Sequence, residues 1–346
     1  MNRLQRAVGV ADAAVREGGY PSAVIAVASS SATILKRALS RPGMAPARED
    51  SIFLLASITK PIVATAIMRL VEDGLLLLSA PVATYIPEFA QAGKQLVTTW
   101  HILTHTSGLD DSAWQAELAG ARRATAPELV QLACRSGLRF EPGARFEYCS
   151  FSFYILAELI SRLGGAPYPE LLRRQIFRPL GMRDTSFAPE GDQRARAMPV
   201  YGLAPDFDRW LAYYTSVATP GGGLWSTAAD LIAFGQALLR GGRAGDYHLL
   251  SPAAIETMAR LQTGGLTQVS DGQTTPAMYG LGWGKLGPEA LASPRAYLHG
   301  GATGTLLCID PEWDLVFVFL TNQWDIQGTA ADRALNAVYG ALRRDR

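Results

Sequence analysis

The chain has 346 residues, with 32 Lys+Arg against 31 Asp+Glu and a formal net charge of +1; 48% of residues are hydrophobic and 18% charged. That balance excludes a largely disordered chain and a general electrostatic grip on nucleic acid or an anionic membrane. No stretch approaches the roughly 20 apolar residues that span a bilayer, and the length predicts about two domains or one large one.

The opening Met1-Asn2-Arg3-Leu4-Gln5-Arg6 is basic, but Arg16 and Glu17 interrupt the place of an apolar core, so it does not read as a secretory signal. Leu4, Val8, Ala11 and Val15 predict a helix over 3–17. Ala23–Ala28 and Ala32–Leu39 read as strands joined by Ser29-Ser30-Ser31, a hairpin pattern. Ile62, Val63, Ala66, Ile67, Leu70 and Val71 predict a helix with one buried face, stopped by Gly74. The pattern over about 75–190 is mostly helical, with loops rich in Gly, Pro and Thr. Thr305–Asp310 and Leu315–Leu320 flank Pro311-Glu312-Trp313-Asp314 as a second strand pair, and Ala331–Leu342 is helical again. The stretches near 184–222 and 262–278 lack periodicity and read as loops.

Strands at both ends and helices between them predict an α+β chain. Residues 1–75 and 220–346 form a discontinuous sheet lobe with an antiparallel sheet, 76–219 a mostly helical lobe, and the active site lies at their interface. Cys134, Cys149 and Cys308 are three, odd and widely spaced, which predicts reduced thiols and a cytoplasmic location.

Common catalytic signatures are missing: there is no Gly-x-Ser-x-Gly, no phosphate-loop motif and no His-Glu-x-x-His. Gly282-Trp283-Gly284-Lys285-Leu286-Gly287 matches a dinucleotide fingerprint in letters only, since Pro288 follows where a helix should open. His101 and His105 stand four apart without an acidic ligand, so they read as packed histidines and no metal is expected.

Ser57-Ile58-Thr59-Lys60 is the informative motif. On a helix, positions i and i+3 are neighbours. A serine hydroxyl needs a base, and a lysine serves only when burial and the helix start lower its pKa. On these four residues alone, a serine cap beside an exposed lysine remains open.

The surroundings resemble the serine β-lactamase and penicillin-binding-protein superfamily, on its class C side. Leu54-Leu55-Ala56-Ser57-Ile58-Thr59-Lys60-Pro61 is similar to its nucleophile helix. Leu103–Leu109 (Leu-Thr-His-Thr-Ser-Gly-Leu), Phe146-Glu147-Tyr148-Cys149-Ser150, Arg178–Met182, Gly221–Thr227, His299-Gly300-Gly301 and Leu320-Thr321-Asn322 follow in the family's order. The resemblance implies a β-lactamase/transpeptidase-like fold and acyl transfer without a cofactor. Ser57 would be the nucleophile. Lys60 and Tyr148 would handle protons, Tyr148 as the final base with Lys60 as its cationic neighbour. The N–H groups of Ser57 and Ala302, the latter on an edge strand, would form the oxyanion hole. Ser150, His299, Gly300, Gly301 and Trp225 would contact substrate, and Trp283 and Tyr201 are further pocket candidates.

Two departures bear on substrate. Ser150 replaces the family's asparagine, and His299 replaces a lysine that helps hold a substrate carboxylate. Both favour a carboxylesterase on small, largely uncharged esters, closest to family VIII carboxylesterases. A β-lactamase, a D-amino-acid amidase or peptidase, an acyltransferase and a non-catalytic penicillin sensor are the alternatives. A small acyl compound is the expected partner, with neither nucleic acid nor membrane. Cys149 reads as a small buried residue.

Overall fold

The computed structural model describes residues 3–119, 123–202, 206–270, 272–288, 290–326 and 329–342. Ten elements frame the site: α1 (Gln5–Arg16), β1 (Ser22–Ala28), β2 (Thr33–Ser40), α2 (Thr59–Glu72), α3 (Phe153–Gly164), α4 (Ala228–Leu239), β3 (Tyr297–Gly300), β4 (Leu306–Asp310), β5 (Leu315–Thr321) and α5 (Thr329–Tyr339).

The five strands form one antiparallel sheet in the order β2-β1-β5-β4-β3. Its strands therefore come from both ends of the chain, and the fold is α+β. Every residue of β1 is buried. Successive side chains point to opposite faces. Val24, Ala26 and Ala28 join a core with Ile62 and Ile67 of α2, while Ala23, Ile25 and Val27 pack with Ala7 and Ala11 of α1 and Ala334 and Val338 of α5. A strand covered on both faces reads as a continuous apolar run, which is why Ala23–Ala28 lacks polar alternation.

Helix α2 departs from the expected single buried face. Thr59 through Met68 and Leu70 are all buried, so it runs through the core. It ends where predicted, with Asp73 N–H on Arg69 O and Gly74 in the left-handed conformation at φ 70°.

The expectation of helix across 75–190 is too generous. The helices there are Thr99–Leu103, Ser112–Ala119, Ala126–Arg135, α3 and Tyr168–Leu172, with a π-helical turn at Arg173–Phe177. Residues 75–98 and 136–152 run irregularly, apart from single turns at Val82–Thr84 and Pro87–Phe89. Conversely, the expected loop at 184–222 contains the helix Phe207–Ser216, and that at 262–278 contains the hairpin Thr267–Ser270/Gln273–Pro276. The Phe207–Ser216 segment is rich in aromatic residues, which have modest helix propensity; burial of Phe207, Tyr213 and Tyr214 stabilises it.

A two-residue pairing completes the frame. Phe53–Leu54 pairs antiparallel with Trp225–Ser226, Leu54 opposite Trp225. It holds the segments carrying Ser57 and Gly221 side by side.

Candidate active site

Ser57 does not lie in α2 itself. It sits in a tight turn, Ala56–Ile58, immediately before it, and Lys60 is the second residue of the helix. Ala56 adopts φ 48°, a left-handed conformation that costs an alanine about 1–2 kcal/mol. Three threonines hold this strained turn. Thr59 Oγ1 donates to Ala56 O at 2.8 Å and accepts from Leu224 N–H at 3.1 Å. Thr303 Oγ1 donates to Leu54 O at 2.9 Å, and Thr305 Oγ1 to Leu55 O at 2.8 Å. Thr59 lies within the Ser57–Lys60 motif, whereas Thr303 and Thr305 lie outside every quoted motif, because their roles emerge only once distant segments meet.

Lys60 is fully buried. Its Nζ lies 3.2 Å from Ser57 Oγ, 3.0 Å from Ser150 Oγ and 2.7 Å from Gly221 O. The rings of Tyr148 and Phe153 wall it in, 4.7 and 5.3 Å from ring centroid to Nζ. Burial lowers its pKa to about 7, against the opposing charge of Asp111. A neutral amine has two protons and one lone pair. Gly221 O can only accept, so the lone pair is directed at a hydroxyl, and the Ser57 O–H can then donate to Nζ.

Ser150 thus holds the lysine despite being shorter than asparagine. Gly221 explains the close approach: a Cβ there would stand 2.9 Å from Ser150 O and 3.4 Å from Lys60 Nζ. Tyr148 is 40% exposed over the whole residue, yet burial is the largest influence on its phenol and pushes its pKa up. Ser57 and Ser150 act on it in the opposite direction. Burial thus favours the neutral form of both the Lys60 amine and the Tyr148 phenol.

Ala302 lies in a turn after the edge strand β3 rather than on it. Its carbonyl accepts from Asp325 N–H at 2.8 Å, and among the described residues its own N–H meets no backbone carbonyl. The preceding Gly301 is seated against the Ser57 turn. A Cβ there would collide with Leu55 O and Thr305 Oγ1 and stand 3.1 Å from Ala56 Cβ. Only glycine permits this contact.

His299 is buried and engaged at both ring nitrogens. Nδ1 lies 2.7 Å from Gly300 O, and Nε2 lies 2.8 Å from Tyr279 Oη. Tyr279 Oη is also 3.3 Å from His105 Nε2, while His105 Nδ1 accepts from Cys149 N–H at 3.1 Å. Burial, and then the charge of Lys60, lower the pKa of both histidines, His299 to about 3. Tyr279 stands immediately after the 262–278 stretch, which reads as a loop in the sequence.

Other expectations fare differently. Trp225 does not stand free to line a pocket; it is 7% exposed and packs with Ile52, Leu54, Val200 and Phe207 behind the nucleophile strand. Trp283 is core, stacked on Phe234 and edge-on to Tyr297. Tyr201 braces Trp324 N–H through its carbonyl at 2.7 Å. Gly284 exchanges two backbone hydrogen bonds with Leu298, consistent with a strand-edge glycine. His101 caps its own helix, its Nδ1 accepting from Thr98 N–H at 3.1 Å. Cys149 Sγ donates to Asp111 Oδ1 at 3.3 Å, and burial holds its thiol pKa well above the ordinary value. Among the described residues no cluster of three His, Cys, Asp or Glu could hold a metal ion, and no helix is long and apolar enough to cross a membrane.

The chain is similar in sequence and in fold to several known proteins. Esterase EstB from Burkholderia gladioli is 36% identical over 217 residues, covering 57% of this chain and 54% of EstB, so the match spans about half of that relative. A penicillin-binding-protein homologue from Caulobacter crescentus superposes with a TM-score of 0.83 at 23% identity, over 99% of this chain and 98% of the other. A family VIII carboxylesterase superposes with a TM-score of 0.82 at 21% identity, over 99% and 98%. The Beta-lactamase family pattern matches residues 8–341, nearly the whole chain. The chain therefore belongs to the Beta-lactamase family and carries its fold, within a superfamily of serine hydrolases that includes esterases, peptidases and β-lactamases.

Proposed function

We propose that this protein is a serine hydrolase acting through a covalent acyl-enzyme, with small carboxylic esters as substrates. The observation that carries this reading is the position of Lys60 Nζ, buried, 3.2 Å from Ser57 Oγ and with a pKa brought to about 7. At neutral pH a substantial fraction of Lys60 is an amine.

In this scheme the Lys60 amine takes the Ser57 proton as Oγ attacks the carbonyl carbon, forming the C–O bond. The N–H groups of Ser57 and Ala302 receive the oxyanion. The proton then passes from the lysine ammonium to the leaving alkoxide through the Tyr148 hydroxyl, as the ester C–O bond breaks. Water attacks the acyl-enzyme, and the same groups return the proton to Ser57. Keeping Tyr148 protonated in the resting state suits it to be a donor and relay, so the first proton acceptor is Lys60.

Two features support esters over amides and β-lactams. Ser150 supplies a hydroxyl where a substrate amide would meet a side-chain amide. His299 is neutral and occupied, so it offers no cation to a carboxylate. Three buried, unpaired cysteines support a reducing, cytoplasmic setting. The deciding assay measures turnover of short-chain p-nitrophenyl esters, nitrocefin and a D-amino-acid amide, with and without an acceptor alcohol. Multiple turnovers on the ester, lost in Ser57→Ala, support the reading. A single stoichiometric burst, or preference for nitrocefin or the amide, contradicts it.

A further inference from the structure

Among the described residues Lys60 Nζ touches no carboxylate; its hydrogen-bond partners are two serine hydroxyls and the Gly221 carbonyl. Burial alone would drive such an amine toward permanent neutrality, and a lysine that hardly binds a proton is a poor base. One carboxylate stands a single residue layer away. Asp111 precedes the helix Ser112–Ala119, and its carbonyl accepts from Gln115 N–H at 2.8 Å. Its side chain reaches the Tyr148 loop: Oδ1 accepts from Phe151 N–H at 2.7 Å and from the Cys149 thiol at 3.3 Å.

These two contacts flank Ser150, whose Oγ lies 3.0 Å from Lys60 Nζ. Asp111 therefore grips the segment on both sides of the residue that holds the lysine. The neighbouring Asp110 is engaged elsewhere: its Oδ1 accepts from Ser112 Oγ at 2.7 Å, and its Oδ2 lies 3.6 Å from Arg139 Nε. The electrostatics run in the same direction as the geometry. Burial is the largest influence on Lys60 and lowers its pKa; the Asp111 charge opposes it, as does Cys149. Burial raises the Tyr148 phenol, and the Asp111 charge acts with it there. The other titratable groups facing Lys60 are His105, beyond the helix Thr99–Leu103, and His299 on β3, both lowered by burial. Besides Lys60, the Asp111 charge acts on Tyr148, Cys149 and Tyr214 of the helix Phe207–Ser216.

We propose that Asp111 is a positioning residue for the acyl-transfer reaction: its carboxylate clamps the Tyr148–Ser150 loop against Lys60 and supplies the counter-charge that keeps this buried amine able to take up a proton. This rests on the serine acyl-transfer reading above, in which Lys60 is the first proton acceptor. Removing the charge leaves burial unopposed, so the Lys60 ammonium gives up its proton at lower pH. Asp111→Asn isolates that effect, because an amide oxygen can still accept from Phe151 N–H once the charge is gone.

Two measurements test this, one independent of activity. The protein has four lysines, so carbon-13 labels at their Cε atoms resolve by NMR, with Lys60 assigned through Lys60→Arg. The Lys60 titration, centred near 7 in the wild type, should move to lower pH in Asp111→Asn and stay in place in Asp110→Asn. Second, kcat/KM for p-nitrophenyl butyrate is compared at about pH 6 and about pH 8.5. In Asp111→Asn the ratio of the lower-pH to the higher-pH value should rise about threefold or more, while the higher-pH value falls with the weaker base. A rate lowered equally at every pH with the Lys60 titration unmoved, or an equal shift in Asp110→Asn, overturns the proposal. If Asp111→Asn does not fold, Asp111→Ser, which removes the same charge, carries the same two measurements. Activity surviving in Ser57→Ala would overturn the serine reading while leaving the Lys60 titration standing, so the two failures are distinguishable.

Discussion

Lys60 Nζ stands 3.2 Å from Ser57 Oγ, and its position is fixed from behind by Gly221 O at 2.7 Å. The carbonyl anchors the amine while the hydroxyl faces it, so in the proposed scheme the protonation state of Lys60 is the switch of the site. With the pKa lowered to about 7, the amine is lost as pH falls through that value. In the proposed scheme the neutral form is the active one, so kcat/KM for a neutral ester should rise with pH along an acid limb centred near 7. His105 and His299, both lowered by burial, add no second limb in that range. Lys60→Arg should abolish the limb along with at least about 10³-fold of the rate, because a guanidinium stays charged. A pH–rate profile of the two proteins checks this.

Ser150 tests whether holding the lysine is enough. Its Oγ is 3.0 Å from Lys60 Nζ. Ser150→Ala removes one of three partners and should lower kcat about 10- to 100-fold with little change in KM. Ser150→Asn should restore the hold and shift preference toward amides, measured as the ratio of D-amino-acid amide to ester turnover.

Gly301 tests the oxyanion turn. A Cβ there would collide with Leu55 O and Thr305 Oγ1. Gly301→Ala should cost about 1–3 kcal/mol of stability and displace the Ala302 N–H, lowering kcat about 100-fold or more. Thermal unfolding and steady-state kinetics report the two effects separately.

The cysteines give a test of packing near the site. Cys134, Cys149 and Cys308 are all buried, and burial raises each thiol pKa. None should react with iodoacetamide in the native protein within an hour, and all should react in urea. Intact mass before and after reaction shows the count. Rapid native labelling of Cys149 would contradict the packing described for the Tyr148 loop.

Much of this was legible in the chain because it is local. The apolar run Ala23–Ala28, the turn at Pro311–Asp314 and the stop at Gly74 follow from short-range pattern. Ser57 and Lys60 were legible because they share one segment, and Tyr148 because a resemblance supplied it. What stayed hidden depends on partners far along the chain. Thr305 meets Leu55 across 250 positions, and Tyr279 reaches His105 across 174. The helix Phe207–Ser216 was missed because tertiary burial of its aromatics, rather than propensity, stabilises it. Trp225, which the resemblance implies as a substrate contact, belongs instead to a small core because its strand pairs with Leu54, a partner far away in the sequence.

In the proposed reaction Ser57 forms an acyl-enzyme with Lys60 as its base. Rapid-quench intact-mass analysis with p-nitrophenyl acetate tests it most directly. One added acetyl group per chain is expected, mapped to the peptide holding Ser57, appearing within the burst and decaying with turnover, and absent in Ser57→Ala. Hydrolysis of the ester with no such adduct, or with the adduct on any other residue, would contradict it.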